Sequence, residues 1–438
     1  MTTAPGAAPL TPRDPHLPPA GASSRFTRRD NGWGYSAGTY NFSYTTGTST
    51  APDQYGGSVP GWASPQAQRA RRRNEVVGVL LMVVSGLALL GFVAYMVRSV
   101  KDASQLVLPA ALALVPLVIV LLTVLWIDRW EPEPPAMLVT AFMWGAGTSV
   151  VIAVLLNDWL SGTVAEALGD PEVGETAGAV IAAPLFEEGA KGLGVLVIFF
   201  IWRRTFNGPV DGIVYACVIA GAFAFSENIV YFFRAYQLDQ THPSAGGSQL
   251  LETFLARGIM TPFTHLTFTS CTGFAVGLAS TMRSRFSWVW MTLVGYALAV
   301  CGHAFWNGVI ASLSTPVLLA VEIPVFLMWI GGIVLLRQME RRAMASRLAD
   351  YSRASWLTGA EVTMLTTGTG RRQARRWARN RGPAAGRAMK RFQKAAVDLA
   401  QLRQRAMNGH AESDYADAEH RLLEELARSR RAFLDART

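Results

Sequence analysis

At 438 residues, half of them apolar, with only 16% charged and a net charge of +9, this chain lies far from soluble globular usage, in which about a quarter of residues are charged. The deficit is concentrated, because long apolar runs alternate with short charged loops, and that is the pattern of a polytopic membrane protein. The three cysteines, Cys217, Cys271 and Cys301, lie inside apolar runs without a CxxC pair, which argues against a disulfide framework or a cysteine-based zinc site and leaves them as packing residues.

Residues 1–68 are rich in Pro, Gly, Ser and Thr, with scattered Tyr35, Tyr40, Tyr44 and Tyr55 and no apolar periodicity. Such a segment buries too little surface to offset its ordering entropy, so a disordered cytoplasmic tail is expected. It has no apolar h-region and does not read as a cleaved signal peptide.

Residues 69–337 form the expected membrane domain. Runs near 76–97, 106–127, 136–157, 177–201, 210–233, 258–281, 286–312 and 317–336 each approach the roughly 20 residues that cross a bilayer. Eight spans are predicted, the third closing at Asn157 and Asp158. Arg69, Arg71, Arg72 and Arg73 precede the first span, Arg203 and Arg204 follow the fourth, Arg283 and Arg285 the sixth, and Arg337, Arg341 and Arg342 the eighth. Segment 158–176 has no positive charge and five acidic residues. Despite Arg98, Lys101, Arg234 and Arg257 on the other side, the positive-inside bias puts both termini in the cytoplasm of a bacterial-type membrane.

Ionisable groups inside spans are costly, and they usually face a cavity or one another. Here the fourth span carries Glu187, Glu188 and Lys191, the fifth Glu227 and Asn228, the sixth His265, the seventh His303 and Asn307, and the eighth a lone Glu322. Lys191 lies three residues from Glu188 and four from Glu187, so it can pair with either and leave the other for chemistry. His303 and Asn307 share one helix face by the same spacing. Counted from the outer ends of their spans, Glu187, Glu227, His265 and His303 lie about 9–15 Å deep at ~1.5 Å per residue, which predicts one layer in the outer half of the bilayer. Taken singly, each set also has a structural reading: a buried ion pair, an interhelical hydrogen bond or a packing histidine. Asp211 reads as a helix N-cap, and the acidic loop 128–134 with Arg129 as an interfacial clasp.

These motifs, Glu187-Glu188-x-x-Lys191, Phe223-x-x-x-Glu227 with Asn228, the histidine of span six and His303-x-x-x-Asn307, together with Asp128-Arg129-Trp130-Glu131-Pro132-Glu133-Pro134 and Asp211-Gly212, resemble the PrsW family of intramembrane proteases, a branch of the group that includes the CAAX-processing enzymes. The resemblance covers roughly residues 75–340 and neither tail. It implies cleavage of a membrane-anchored protein, such as an anti-sigma factor or another single-pass regulator, near its extracytoplasmic boundary.

Peptide hydrolysis needs an activated water, an oxyanion stabiliser and a proton donor for the leaving amine. Glu187 or Glu188 is expected to activate the water, the other being held by Lys191, with Glu227 and Asn228 in support. His265 and His303 orient the water or bind a metal, and Asn307 donates to the oxyanion. Two versions stand. In one, His265, His303, Glu187 and Glu227 supply ligands for Zn²⁺; in the other no metal is used. The chain has no HExxH to decide between them. From a different class, a proton-coupled transporter could use the same buried Glu and His groups, although no motif repeat relates spans 1–4 to spans 5–8. A catalytically dead scaffold is a third reading, opposed by the intact motifs.

Residues 338–438 hold 21 Arg/Lys against 11 Asp/Glu and read as a helical cytoplasmic tail. Thr358-Gly359-Ala360-Glu361 has the form of a capping box, with Leu357 and Val362 as its staple. Phe392, Ala396, Leu399 and Leu402, and then Tyr415, Leu422, Leu426 and Phe433, mark two amphipathic helices broken at Asn408-Gly409. Contact with anionic lipid or a cytoplasmic partner is expected for this tail, rather than nucleic acid.

Overall fold

The structure is a computed structural model. It describes residues 26–29, 32–35, 65–130, 132–203, 206–241, 248–284, 286–409 and 415–436. The two short N-terminal pieces, β1 (Phe26–Arg29) and β2 (Gly32–Tyr35), pair antiparallel. The rest of the expected disordered tail up to residue 64 lies outside the described residues, as do Arg204, Arg285 and Glu131.

The helices follow in chain order. They are α1 (Pro65–Arg98), α2 (Val107–Ile127), α3 (Pro135–Met143), α4 (Val150–Leu168), α5 (Pro171–Ala177), α6 (Ala183–Ile201), α7 (Pro209–Thr241), α8 (Gln249–Thr253), α9 (Thr264–Thr281), α10 (Ser287–Gly308) and α11 (Thr315–Arg353). After them come α12 (Gly359–Thr366), α13 (Gly368–Arg379), α14 (Pro383–Met407) and α15 (Tyr415–Leu434). The chain divides into two compact units, one of residues 69–336 and one of residues 337–438 with the N-terminal segment.

Among the described residues, six helical stretches are long and apolar enough to cross a membrane: Arg73–Arg98, Ala103–Ile127, Pro135–Leu168, Pro209–Thr241, Ser287–Gly308 and Thr315–Arg353. The fourth and sixth expected spans fall on α6 and α9. Glu187, Glu188 and Lys191 interrupt the apolar run of α6, and a string of Thr and Ser dilutes that of α9. The two helices that fall short of the apolar criterion are thus two that carry the candidate chemistry. The third expected span also runs past Asn157 and Asp158 to Leu168, ending where Gly169 takes a φ of +67°.

Within the larger unit α7 is the axis. From Val210 to Ala224 every residue is buried, and α2, α3, α6 and α9 pack around it. The tightest crossing is with α9: a Cβ on Gly212 would meet the Gly273 carbonyl oxygen at 2.0 Å, and one on Gly273 would meet that of Gly212 at 2.3 Å. Only glycine lets the backbones approach so closely, as at small-residue crossings of membrane helices. Three wide π turns interrupt the bundle, at Trp144–Ser149, Gly178–Ala182 and Phe254–Met260. Such turns often mark functional sites, and side chains of neighbouring helices reach carbonyls in two of them: Ser226 donates to Ala146 at 2.9 Å, and Asn307 to Ala179 at 2.9 Å.

The smaller unit buries Tyr351, Met389, Phe392, Leu399, Leu423, Leu426 and Phe433 in its own core. The capping box forms as the sequence reads. The Glu361 amide donates to Thr358 Oγ1 at 3.1 Å, and the Thr358 amide to Glu361 Oε2 at 2.9 Å. The two long amphipathic helices pair, and between them Gly409 takes a φ of +85°.

At the start of α7 in the larger unit, Asp128, Glu133 and Asp211 are buried together with Tyr215. Tyr215 donates to Glu133 at 2.5 Å, and the Glu133 amide donates to both oxygens of Asp128 at 3.0 and 3.2 Å. Asp211 is the third residue of α7 rather than its N-cap, and it reaches back to accept from the Asn207 amide at 2.6 Å. Burial pushes the Asp128 carboxyl up to about 6. The native state therefore binds a proton that the unfolded state releases, and stability falls as pH rises from the ordinary carboxylate range through about 6. Asp128→Asn should flatten the dependence of the melting midpoint on pH across that window, read by thermal unfolding in detergent at a series of pH values. An unchanged slope would remove Asp128 as its source.

Candidate active site

Four helices and one π turn of the larger unit converge on one polar cluster. Helix α6 presents Glu187, Glu188 and Lys191 on its buried side. Helix α7 contributes Glu227 and Asn228, α9 His265 and Thr269, and α10 His303. The π turn Phe254–Met260 adds Arg257.

Lys191 is at the centre and has no exposed surface. Its ammonium donates to Glu188 Oε1 at 2.7 Å, lies 3.4 Å from Glu187 Oε2 and 3.3 Å from His265 Nδ1, and sits 4.3 Å above the Phe223 ring. Glu188, equally buried, is fully partnered. One oxygen takes Lys191 and, at 3.1 Å, His303 Nδ1, while the other accepts from Thr269 Oγ1 at 2.8 Å. Glu187 has only the longer contact to Lys191. The two glutamates therefore differ in geometry: Glu188 is tied down and Glu187 is the freer carboxylate.

The histidines are each held by a carboxylate. Because Glu188 only accepts when ionised, the His303 Nδ1–H is the donor of this contact. Its ring stacks on Phe268 with centroids 5.4 Å apart. His265 places Nε2 2.9 Å from Glu227 Oε2. Its Nδ1 faces the Lys191 ammonium, a donor, and so acts as the acceptor. The two rings meet edge to face at 5.3 Å.

Glu227 is fixed from behind by Arg257, whose Nη2 donates to it at 2.6 Å and whose Nε donates to Asn228 at 3.0 Å. The guanidinium lies 3.9 Å over the Tyr231 ring. Thr269 and Arg257 were not singled out as site residues by sequence reading. No i, i+3 or i, i+4 pattern links either to its partner, and Arg257 reads as an ordinary loop cation. Asn307, one turn beyond His303, has its amide on the Ala179 carbonyl rather than in the cluster. Glu322 accepts from Thr264, the neighbour of His265, at 3.2 Å.

One ligand atom from each of Glu187, His265 and His303 falls within 4.8 Å of the others. Two imidazoles and one carboxylate make a usual catalytic zinc donor set, and each imidazole already has the carboxylate partner that orients such ligands. The residues present therefore fit a metal, provided that His265 releases one of its present contacts. Glu227, also expected among the ligands, stands outside this group as the partner of His265.

Residues 133–334 match the sequence profile described as "PrsW family intramembrane metalloprotease". This segment is similar to the PrsW family. Among curated proteins, the chain is 35% identical over 122 residues to "Protease PrsW" of Clostridioides difficile (strain 630), covering 28% of this chain and 49% of that protein. It is 27% identical over 169 residues to "Protease PrsW" of Geobacillus kaustophilus (strain HTA426), covering 38% and 65%. The chain thus spans about half the length of one curated relative and just under two thirds of the other. No solved structure matches. With the apolar helices, the PrsW match makes this an integral membrane protein. Every motif residue from Glu187 to Asn307 lies inside the matched segment.

Removing Glu188 leaves Lys191 and His303 without their closest acceptor in a dry interior, which costs about 3–5 kcal/mol for a broken buried ion pair. Glu188→Ala should accordingly melt well below Glu187→Ala in the same detergent, by calorimetry or fluorescence. Equal midpoints would mean that the two carboxylates share the structural load.

Proposed function

We propose that this chain is a PrsW-type protease that hydrolyses a peptide bond in a membrane-anchored protein substrate. The observation that carries the reading is the freedom of Glu187 beside two carboxylate-held histidines. Glu187 takes a proton from the attacking water at a carboxylate oxygen and returns it to the leaving amine. A general acid–base of this kind contributes roughly 10²–10⁴-fold. His303 Nε2 and His265 orient the water, and Lys191 keeps Glu188 and His265 in register. Asn307 acts first on the bundle, fastening α10 to the π turn ahead of α6, with its second amide hydrogen left for an oxyanion.

In the metal version His265, His303 and Glu187 would hold a zinc ion, and Glu187 would then serve as a ligand in place of its role as free base. When bound, such an ion polarises the scissile carbonyl and acidifies water. The family description as a metalloprotease supports that version. Helices α6 and α9 complete eight crossings in this reading, their polar faces shielded by α7 and α10, with both termini cytoplasmic. A single-pass regulator such as an anti-sigma factor, cut near its outer boundary, is the substrate class the resemblance implies. The transporter alternative has no counterpart among the matched proteins.

The test is purified protein in detergent against a panel of single-pass membrane proteins, with Glu187→Gln as the paired variant. Cleavage by the wild type, lost by 10²-fold or more in the variant, supports the assignment. Loss on chelation and recovery with zinc supports the metal version. Equal product from wild type and variant would remove Glu187 as the base.

Arg257 fastens two acceptors with two nitrogens, a geometry that a lysine cannot copy. Arg257→Lys should lower turnover roughly 10–100-fold, as loss of support behind a ligand or base does, with the melting midpoint little changed. Full activity in that variant would make Arg257 a bystander.

A further inference from the structure

The smaller unit contains a cavity of about 620 Å³ between α13 and α14 whose lining includes Arg372, Arg375, Arg376, Arg379 and Lys390. The four arginines recur at i, i+3, i+4 and i+7, which puts them on one face of α13, while Ala374 and Ala378 on the opposite face are buried. At Gly386 an added Cβ would come within 2.9 Å of Arg379 Cγ. A glycine there lets the end of α13 sit tightly on α14 and brings Lys390 to the same cavity.

None of these five cations pairs with a carboxylate among the described residues. Elsewhere in this unit several cations do meet carboxylates. Arg430 holds Glu361 at 2.9 Å, Arg347 holds Asp350 at 3.6 Å, Arg391 and Arg428 reach Glu425 at 3.6 and 3.3 Å, and Lys394 reaches Asp398 at 3.5 Å. Arg375 instead donates to the neutral Gln393 side chain at 2.5 Å. Burial and the neighbouring Arg379 charge both depress its guanidinium below the ordinary range. The cluster thus bears like-charge repulsion that a bound anion would relieve.

We propose that this cavity binds an anion that presents terminal phosphate, gripped by the α13 arginines and Lys390. Guanidinium forks match phosphate oxygens two at a time, and the volume suits a small ligand, for which sites of roughly 300–1,000 Å³ are usual. The lining contains no aromatic side chain. The adjacent Trp377 ring is covered by Arg381 at 4.6 Å and abuts Phe433 at 6.1 Å. It offers no stacking platform of the sort that single-stranded nucleic acid uses. Phosphate of this kind comes either from a soluble polyphosphate or from the monoester headgroup of an anionic lipid.

The full chain in a neutral detergent would be titrated with inorganic tripolyphosphate and, separately, with dioctanoyl phosphatidic acid, by calorimetry at low and moderate salt. Saturable binding is expected, weakened roughly tenfold or more in Arg372→Gln/Arg376→Gln and in the single variant Lys390→Glu on the other helix. Removing the same charge on α15, in Arg428→Gln/Arg431→Gln, should change it less than about twofold. Binding of tripolyphosphate alone assigns a soluble ligand, and binding of both probes extends the site to a lipid headgroup. Absence of saturable binding by either probe would overturn the proposal. So would equal losses in the cavity and α15 variants, or tighter binding of a short mixed-sequence single-stranded oligonucleotide than of either probe.

Discussion

A single buried ammonium sets the terms for the membrane unit. Lys191 has no access to solvent and touches Glu188, Glu187 and His265 at once. A charge in a low-dielectric interior persists only if its partners are held in place, so its neighbours are constrained in turn. Glu188 is pinned by Thr269 and His303, and Phe223 covers the ammonium from α7. The close Gly212–Gly273 crossing belongs to the same constraint, since it draws α7 and α9 together on either side of the charged layer. The helices that carry most of this polarity are the ones least able to face lipid, and the apolar surface is supplied by α1, α2, α10 and α11 around them.

Much of this was legible in the sequence because it is local. Glu187, Glu188 and Lys191 lie within one and a half turns, so helical spacing alone predicts that the lysine meets either acid. The capping box at Thr358 and the hairpin of α14 and α15 are local in the same sense. What spacing cannot supply is the choice between equivalent partners. Glu188 is the tied carboxylate because Thr269 on α9 and His303 on α10 reach it, and those contacts join residues 81 and 115 positions away. Arg257 escaped notice for the same reason, being 30 residues from Glu227 and in an irregular turn.

Of the eight expected spans, six match helices long and apolar enough to cross a membrane among the described residues, and the other two fall on α6 and α9. A hydropathy window scores a helix as though all its faces met lipid, whereas α6 and α9 turn their polar groups toward α7 and α10. The π turns are also invisible to such windows, because they alter register without altering composition. Two of them nonetheless place carbonyls where Ser226 and Asn307 can use them, and the third aims Arg257 at Glu227. Asn307 shows how this matters: its spacing from His303 places it on the expected face, but a carbonyl within the Gly178–Ala182 turn takes its amide.

Charge balance connects the metal-loaded and metal-free readings. Drawn in their ionised forms, Glu187, Glu188 and Glu227 carry three negative charges, against two positive charges on Lys191 and Arg257. The excess is one negative charge, and the carboxylate with the weakest partner is Glu187. A buried site with such an excess favours whatever brings positive charge to it, either a proton taken from water or a divalent cation. The same arrangement that would make Glu187 an acceptor of protons would also suit the Glu187–His265–His303 group to a metal. The position of Lys191 sets the difference between them. While its ammonium faces His265 Nδ1, that nitrogen serves the hydrogen-bond network, and it would be open to a cation only with the lysine turned toward Glu188, its closest partner.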